Sequence, residues 1–434
     1  MTPAARLRRE LGLLPLAAVV FLNVSGGPYG IEDTVSSFGP GLTLLLLVLV
    51  PLLWSFPVSL AMSELASAMP DEGGYVTWTT RAFGRFWGFQ VGWWSWLDSF
   101  VDVAVYPALF VEYLKFWHPT MSGAERWVLA VVFIAALTTL NLLGVRPTGI
   151  AAVVMSLGAL APIALLVLVG LPRMSVAPWQ PFLAEGQSLT TGLGLGLAVV
   201  MWNYSGWDTP STILGETQAP EHTFRRALLV SVPLIAASYV LPVGVTLASA
   251  TADWRAWETG TLPQIAARLG GSWLGHAVAA GAVVSTAGLF MALLLTNSRI
   301  PYVLARDGML PRAFAAIHPR FGTPWTAVLV SAAVYAGCAA FSFKELIILN
   351  VWLYSVTLLI ELAAFLVLRA RAADLPRPWR VPGGWTGALA VTAPPSLFAL
   401  AAMATAGWAN TLAGILAALS GPVVWLVARA GSRQ

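Results

Sequence analysis

Apolar residues run along this chain in long blocks that polar residues interrupt only briefly. A bilayer crossing needs about 20 predominantly apolar residues. Twelve stretches meet that measure: Leu11–Phe38, Pro40–Ala68, Trp87–Trp117, Arg126–Leu143, Gly149–Leu171, Leu189–Glu216, Phe224–Ala250, Gly271–Ser298, Pro324–Phe341, Lys344–Leu368, Gly387–Ala406 and Gly407–Val427. The pattern predicts an all-α polytopic membrane protein of 12 transmembrane helices. Two connecting stretches also look structured. Asp71-Glu72-Gly73-Gly74-Tyr75-Val76-Thr77-Trp78 reads as a turn followed by a short helix. The stretch from Asp253 to Leu269 has helical periodicity at Leu262, Ile265, Ala266 and Leu269. It fits a lid and an inert surface helix equally well.

Two of the spans are interrupted in the same manner. Ala18-Val19-Val20-Phe21-Leu22-Asn23-Val24 is lipid-suited helix, breaks at Ser25-Gly26-Gly27-Pro28-Tyr29-Gly30 and resumes at Ile31-Glu32-Asp33. About 180 residues later, Ala198-Val199-Val200-Met201-Trp202-Asn203-Tyr204-Ser205-Gly206-Trp207-Asp208 repeats the pattern Ala-Val-Val-x-x-Asn-x-Ser-Gly. A break within hydrocarbon frees backbone N–H and C=O groups, each costly unless protein, an ion or a solute satisfies it. Interrupted apolar segments at corresponding places in two halves of a chain point to a transporter's binding site. The breaks lie five spans apart. An odd offset makes one broken helix enter from each side, so the halves are inverted relative to each other.

Composition narrows the class. The 434 residues are 58% hydrophobic and 10% charged, against about 25% charged in soluble domains. The net charge of +4 is scattered through short loops, which gives no nucleic-acid surface. Of the 24 basic residues, 18 fall on one side of the predicted topology, among them Arg6, Arg8, Arg9, Arg225, Arg226 and Arg433; Lys115, Arg126, Arg173, Arg255, Arg268 and Lys344 fall on the other. The positive-inside rule then puts both termini in the cytoplasm and the chain in the plasma membrane. The basic start followed by an apolar helix imitates a signal peptide. No small-residue cleavage motif follows it, so it reads as a retained first span. The lone Cys338 excludes an internal disulfide, and the four histidines, 118, 222, 276 and 318, show no metal spacing. No nucleophile–base pair, P-loop or dinucleotide fingerprint is present, so neither an enzyme nor a cofactor is expected.

Candidate chemistry gathers at the breaks. The first offers N–H groups at Gly26, Gly27, Tyr29 and Gly30 beside Ser25, where glycine permits close approach. The positive end of the following half-helix suits a carboxylate. Glu32 and Asp33 either complement that dipole or turn one carboxylate to a substrate amine. The second break offers freed carbonyls at Ser205 and Gly206, the carboxylate of Asp208, and the rings of Trp202, Tyr204 and Trp207, all suited to a cation. Span three carries Asp98 and Asp102, four apart on one helical face, with Tyr106 beyond. Acids within a span cost roughly 2.5–3.5 kcal/mol and usually face a water-filled cavity. Asp102 is the first choice for the cation or a proton; Asp208 and Glu32 are further coupling candidates. Glu64 and Glu361 read as structural or gate acids, and Glu216 as a gate carboxylate paired with an arginine such as Arg225.

These residues resemble the amino acid–polyamine–organocation superfamily. The resemblance rests on Ser298-Arg299-Ile300-Pro301-Tyr302-Val303-Leu304-Ala305-Arg306-Asp307-Gly308-Met309-Leu310-Pro311, on Gly322-Thr323-Pro324-Trp325, and on Gly215-Glu216 with Pro220 and Arg225-Arg226-Ala227. Val24 through Asp33, Gly73-Gly74-Tyr75-Val76, Phe86-Trp87-Gly88-Phe89-Gln90, Tyr106-Pro107 and Asn203 through Asp208 are similar to the branch that holds plant polyamine-uptake transporters. The resemblance implies a leucine-transporter-like core of two inverted five-helix repeats, 11–171 and 189–368, with two peripheral helices at 387–427. It further implies alternating access and proton-coupled uptake of an amino acid or polyamine. Some members carry a lysine in span five; here span five has none, so a lysine switch is unavailable. Ser285 and Thr286 occupy the place where sodium-coupled relatives hold their ion, which keeps a sodium-coupled or exchanging neutral amino acid permease open. A solute sensor or a channel is the reading from another class.

Overall fold

The structure, a computed structural model, describes residues 7–339 and 343–431, without the side chains of 190–195, 343–349, 351, 409 and 428–431. Arg6, Arg433 and Phe341 therefore lie outside the described residues, as does the side chain of Lys344. Among the described residues there is no strand, only a single bridge between Leu11 and Thr217. Eight helices are long and apolar enough to cross a membrane. Their outer faces carry Leu397, Leu400, Leu416, Leu419, Val423 and Leu426 exposed, as lipid-facing surface requires. Exposed Trp117, Trp127, Trp179, Trp273, Trp325 and Trp408 lie near helix ends, where amphipathic rings favour the headgroup level. The chain is a multi-pass membrane protein.

The elements are α1 (Leu13–Val24), α2 (Glu32–Phe38), α3 (Pro40–Ala68), α4 (Tyr75–Phe83), α5 (Arg85–Asp102), α6 (Val105–Leu114), α7 (Gly123–Leu142) and α8 (Val145–Gly170). They continue as α9 (Leu189–Asn203), a 3-10 turn at Thr209–Glu216, α10 (Pro220–Ala248), α11 (Leu262–Gly270), α12 (Ser272–Asn297), α13 (Arg299–Arg306), α14 (Trp325–Cys338), α15 (Phe343–Arg371), α16 (Gly384–Thr405) and α17 (Trp408–Gly431). Both interruptions fall where the sequence puts them, after Val24 and after Asn203. Within α3, Pro51 lacks an N–H and crowds the preceding turn; a π-turn at Pro51–Ser55 absorbs it without ending the helix.

The third predicted span differs from expectation. It is not one helix but α5 and α6, separated at Val103–Ala104 immediately after Asp102. Pro107 accounts for the bend: it has no N–H to give the Val103 carbonyl four residues back, and its ring crowds that carbonyl. The short helix after Asp71 and the helix from Leu262 are present as α4 and α11.

The two broken helices lie side by side and antiparallel. At one end Glu10 and Leu11 donate their N–H groups to the Glu216 carbonyl, each at 3.0 Å. Toward the middle, a Cβ on Gly206 would stand 3.0 Å from the Asn23 carbonyl oxygen, so glycine is what lets the backbones approach. Around this pair, α8 buries Gly149, Ala152, Ser156 and Ala159 at helical spacing. Without a hydrophobic drive between helices in lipid, such small residues hold neighbours by close van der Waals approach.

One buried ion pair fixes the arginine-rich end. Arg299 Nε donates to Glu216 Oε1 at 2.7 Å and its Nη2 to Oε2 at 3.2 Å, with both side chains almost wholly buried. This corrects the expected partner. Arg225 instead lies with its guanidinium 5.2 Å from the centre of the Trp379 ring. The sequence favoured Arg225 by nearness along the chain, but the 3-10 turn aims Glu216 at the α12–α13 junction. Glu64 is pinned structurally: Val381 N–H donates to it at 2.7 Å, and Arg377 lies 3.3 Å away.

Arg299→Met strands Glu216 as an unpaired buried charge. It should lower unfolding stability in detergent by about 3–5 kcal/mol, whereas the Glu216→Leu/Arg299→Met double variant recovers most of that loss. Thermal melting of the three proteins checks this; equal melting of Arg299→Met and the unaltered protein would contradict it.

Candidate functional site

Each break begins with the same device. Asn23 Nδ2 donates to the Val19 carbonyl at 2.9 Å, and Asn203 Nδ2 to the Val199 carbonyl at 2.9 Å. Both are i to i−4 bonds within a helix, onto carbonyls that lie within reach of the same asparagine's backbone N–H. The side-chain oxygens accept from hydroxyls of neighbouring helices: Thr296 on Asn23 at 2.8 Å and Tyr239 on Asn203 at 3.2 Å. The asparagine of the repeated motif thus ties the end of each half-helix to a neighbouring helix through its side-chain oxygen.

The three glycine N–H groups of the first break are already taken. Gly26 donates to the Phe21 carbonyl at 3.2 Å, Gly27 to Ser25 Oγ at 3.0 Å, and Gly30 to Glu32 Oε2 at 2.8 Å. A φ of 74° at Gly26 and the Ser285 hydroxyl on its carbonyl, at 2.8 Å, fold this backbone against α12. Of the four donors expected to cradle a substrate carboxylate, the chain itself fills the three glycine N–H groups, leaving that of Tyr29. Glu32 does not face a cavity. Its Oε1 accepts from Tyr113 at 3.2 Å and from the N–H groups of Gly260 and Leu262, each at 3.3 Å. Thr259 donates twice to Asp33, at 3.2 and 2.8 Å. The segment leading into α11 is thus latched onto α2, which favours the lid over the inert helix. Tyr29 points away, toward the Ala159 carbonyl at 3.2 Å.

Between the breaks lies a small chamber of about 40 Å³ whose walls include Asn23, Asp98, Asp102, Trp202, Gly206 and Tyr354. No lysine, arginine or histidine is among its described lining residues. Trp202 Nε1 donates to Asp102 Oδ1 at 3.0 Å, and Asn350 Nδ2 to Asp98 Oδ1 at 3.0 Å. Tyr354 donates to Asp208 at 2.6 Å and accepts from the Gly206 N–H at 3.0 Å. Three carboxylates thus converge with neutral donors and no counter-cation. A second chamber of about 20 Å³, holding Ser25, Tyr29, Tyr239 and Thr286, shares Val24, Tyr106 and Trp202 with the first. At roughly 10–15 Å³ per water, neither has room for more than a few waters in this conformation.

The structure brings together Asp102, Trp202, Ser205 and Gly206 in the first chamber, and Ser25, Tyr29, Trp202 and Thr286 in the second. It does not bring Tyr204, Trp207 or Glu32 to either. Tyr204 donates to the Leu47 carbonyl at 2.9 Å and Trp207 to the Tyr204 carbonyl at 2.7 Å, both as packed core. Tyr354 and Asn350 went unassigned in the sequence. Their signal was a polar i, i+4 pair on an otherwise apolar span.

Toward the arginine-rich end, the 3-10 turn and the Glu216–Arg299 pair separate the chamber from a vestibule of about 480 Å³ lined by Arg9, Glu72, Tyr302 and Arg306. Glu72 is buried beside Gly215, where a Cβ would meet its carboxylate at 2.3 Å. Burial and the neighbouring Glu216 carboxylate push the Glu72 carboxyl well above the usual range, against the pull of Arg299 and Arg306.

Comparison with known proteins agrees over nearly the whole chain. A family model described as amino acid permease matches residues 11–427. A probable polyamine transporter of Arabidopsis thaliana is 36% identical over 402 residues, covering 91% of this chain and 79% of that protein. Polyamine transporter PUT1 of Oryza sativa subsp. japonica is 36% identical over 395 residues, 91% of this chain and 73% of its own. Polyamine transporter RMV1 of Arabidopsis thaliana is 33% identical over 417 residues, 96% and 84% respectively.

The Glu32 latch makes a testable claim. In a Cys338→Ser background, a cysteine placed at Thr259 should react several-fold faster with a membrane-impermeant maleimide when Glu32→Ala removes the acceptor. Unchanged labelling would show that Glu32 does not hold the lid.

Proposed function

The chain belongs to the amino acid permease family, and on that premise we propose that it is a secondary transporter importing polyamines, or closely similar amines, by proton symport with alternating access. The family makes it a transporter rather than an enzyme. The observation that carries the substrate reading is the chamber: Asp98 and Asp102 line it, Asp208 stands one hydrogen bond behind Tyr354, and no basic side chain faces it among the described residues. Such a site suits a solute with more than one ammonium group. An amino acid needs a partner for its carboxylate as well, and the glycine N–H groups that would supply one are occupied. The names of the three relatives point the same way.

The mechanism follows from the geometry. An extended amine needs more room than either chamber offers, so loading requires Trp202 and Tyr106, which both chambers share, to move apart. Trp202 gives up its bond to Asp102 as an ammonium replaces the indole donor, and its ring face then lies against the cation. The Glu32 latch closes one approach and the Glu216–Arg299 pair the other; alternating access is their release in turn. We read the fold as 12 spans, with inverted five-helix repeats at 11–171 and 189–368 and peripheral helices at 387–427. The antiparallel breaks support that reading. The arginine-rich end is then cytoplasmic, with both termini there, in the plasma membrane. Ser285 donates directly to the Gly26 carbonyl, and Thr286 to that of Val283 at 2.9 Å, so no ion is needed to join these groups. This supports protons over sodium as the coupling ion.

Uptake of labelled putrescine and spermidine into proteoliposomes tests the reading. An imposed inward proton gradient should drive accumulation, and Asp102→Asn, correctly inserted, should reduce it at least tenfold. Neutral amino acids should not compete. Accumulation that follows sodium and ignores the proton gradient, or competition by alanine equal to that by putrescine, would overturn it.

A further inference from the structure

One buried acid plays no part in this account. Glu361 lies on α15, is 1% exposed, and neither carboxylate oxygen has a hydrogen-bond partner among the described residues. The other deeply buried glutamates are satisfied: Glu32 by backbone and tyrosine donors, Glu64 by Val381 and two arginines, Glu216 by Arg299. Glu72 also lacks a partner, but it lines the vestibule. An ionised carboxylate in a dry interior without donor or counter-charge is far costlier than the neutral acid. In the conformation described, Glu361 therefore carries a proton.

Its position gives that proton a use. Asn350, Tyr354 and Glu361 follow one another at spacings of four and seven on one face of α15. Asn350 binds Asp98, and Tyr354 binds Asp208. Glu361 is the next acid on that face, two turns closer to the arginine-rich end. Asp208, held by Tyr354, is the carboxylate two turns away along that face. The helices packed against α15 bring few others: Tyr75 on α4, Asp98 and Asp102 on α5, Tyr106 on α6, and on α3 Glu64, already held by Arg369 and Arg377. Arg85, at the arginine-rich end of α5, is bonded to the Asp307 carbonyl; on α6, Glu112 is paired with Lys115 and Tyr113 with Glu32. Arg81 closes α4, α17 carries Arg429 in its last turn, and α9 and α16 bring no titratable residue.

Resting on the proton-symport reading above, we propose that Glu361 is the residue that holds the co-transported proton. With the arginine-rich end closed, Glu361 stays neutral, and the chamber carboxylates are free to bind ammonium groups. When the Glu216–Arg299 closure opens, water reaches Glu361. Its O–H bond breaks heterolytically, the proton passes to that water, and the electron pair remains on the carboxylate. The emptied protein returns with Glu361 ionised, and Glu361 regains a proton only from the opposite side, once the arginine-rich end has closed. One proton therefore leaves with each load of amine.

Glu361→Gln, an isostere of the neutral acid, tests this in proteoliposomes with a trapped pH dye and labelled spermidine. Exchange of spermidine at equal pH on both sides, which needs no net proton movement, should stay within twofold of the unaltered protein. Accumulation driven by a proton gradient and spermidine-dependent proton influx should both fall at least tenfold. Glu361→Asp retains a titratable group, so it should keep coupling with a displaced pH profile. Proton influx per spermidine unchanged in Glu361→Gln, or a pH profile unmoved in Glu361→Asp, would overturn the assignment. An unaltered protein that exchanges spermidine without any proton influx would overturn the symport reading itself, and this assignment with it.

Discussion

Polar groups inside a bilayer have no water to fall back on, and each must be satisfied by the protein or stay neutral. The chain interrupts two helices at mid-membrane and places carboxylates beside the interruptions. It then answers many of these groups locally. Asn23 and Asn203 tie the ends of the two half-helices to Thr296 and Tyr239. Ser25, Glu32 and Tyr354 take the N–H groups of Gly27, Gly30 and Gly206. What remains unanswered is negative: Asp98, Asp102 and Asp208 have neutral donors and no cation among the described residues. In the proposed transport cycle that deficit selects a solute with ammonium groups, which completes it.

The two ends of the molecule are closed by different means. On one side a carboxylate, Glu32, collects backbone N–H groups of the α11 lid, a closure of several moderate bonds that can be given up in sequence. On the other, Glu216 and Arg299 form a buried bidentate pair, a closure that breaks as a unit. A charged-group-assisted bond is roughly twice as strong as a neutral one, yet separation in contact with water restores solvation to both ions. The closure at the arginine-rich end therefore depends on whether the vestibule beside Glu72 can admit water to it.

Much of this was legible in the sequence because lipid constrains it so strongly. Ser25 through Gly30 and Ser205-Gly206 are residues that end helices, and they stand within runs that otherwise cannot end there. Asp98 and Asp102 drew notice as acids in an apolar span. Less was legible where the answer lay far along the chain. Arg299 is 83 residues from Glu216, and proximity favoured Arg225. The glycine N–H groups looked available because nothing in a linear string shows that Glu32 folds back onto Gly30. Tyr204 and Trp207 looked like cation partners by their place beside the break, but the direction of each ring is set by packing against α3 and the break's own backbone. The bend at Val103–Ala104 was marked only by Pro107, four residues beyond it.

The central claim is that the chain's own carboxylates, and not its glycine N–H groups, receive the solute. A structure of the protein determined with bound spermidine tests it directly. The account predicts ammonium nitrogens within hydrogen-bond reach of Asp98 and Asp102, with Trp202 displaced and Gly27 and Gly30 still bonded to Ser25 and Glu32. Spermidine bound elsewhere, with the chamber still closed around Trp202 and Asp102, would contradict it.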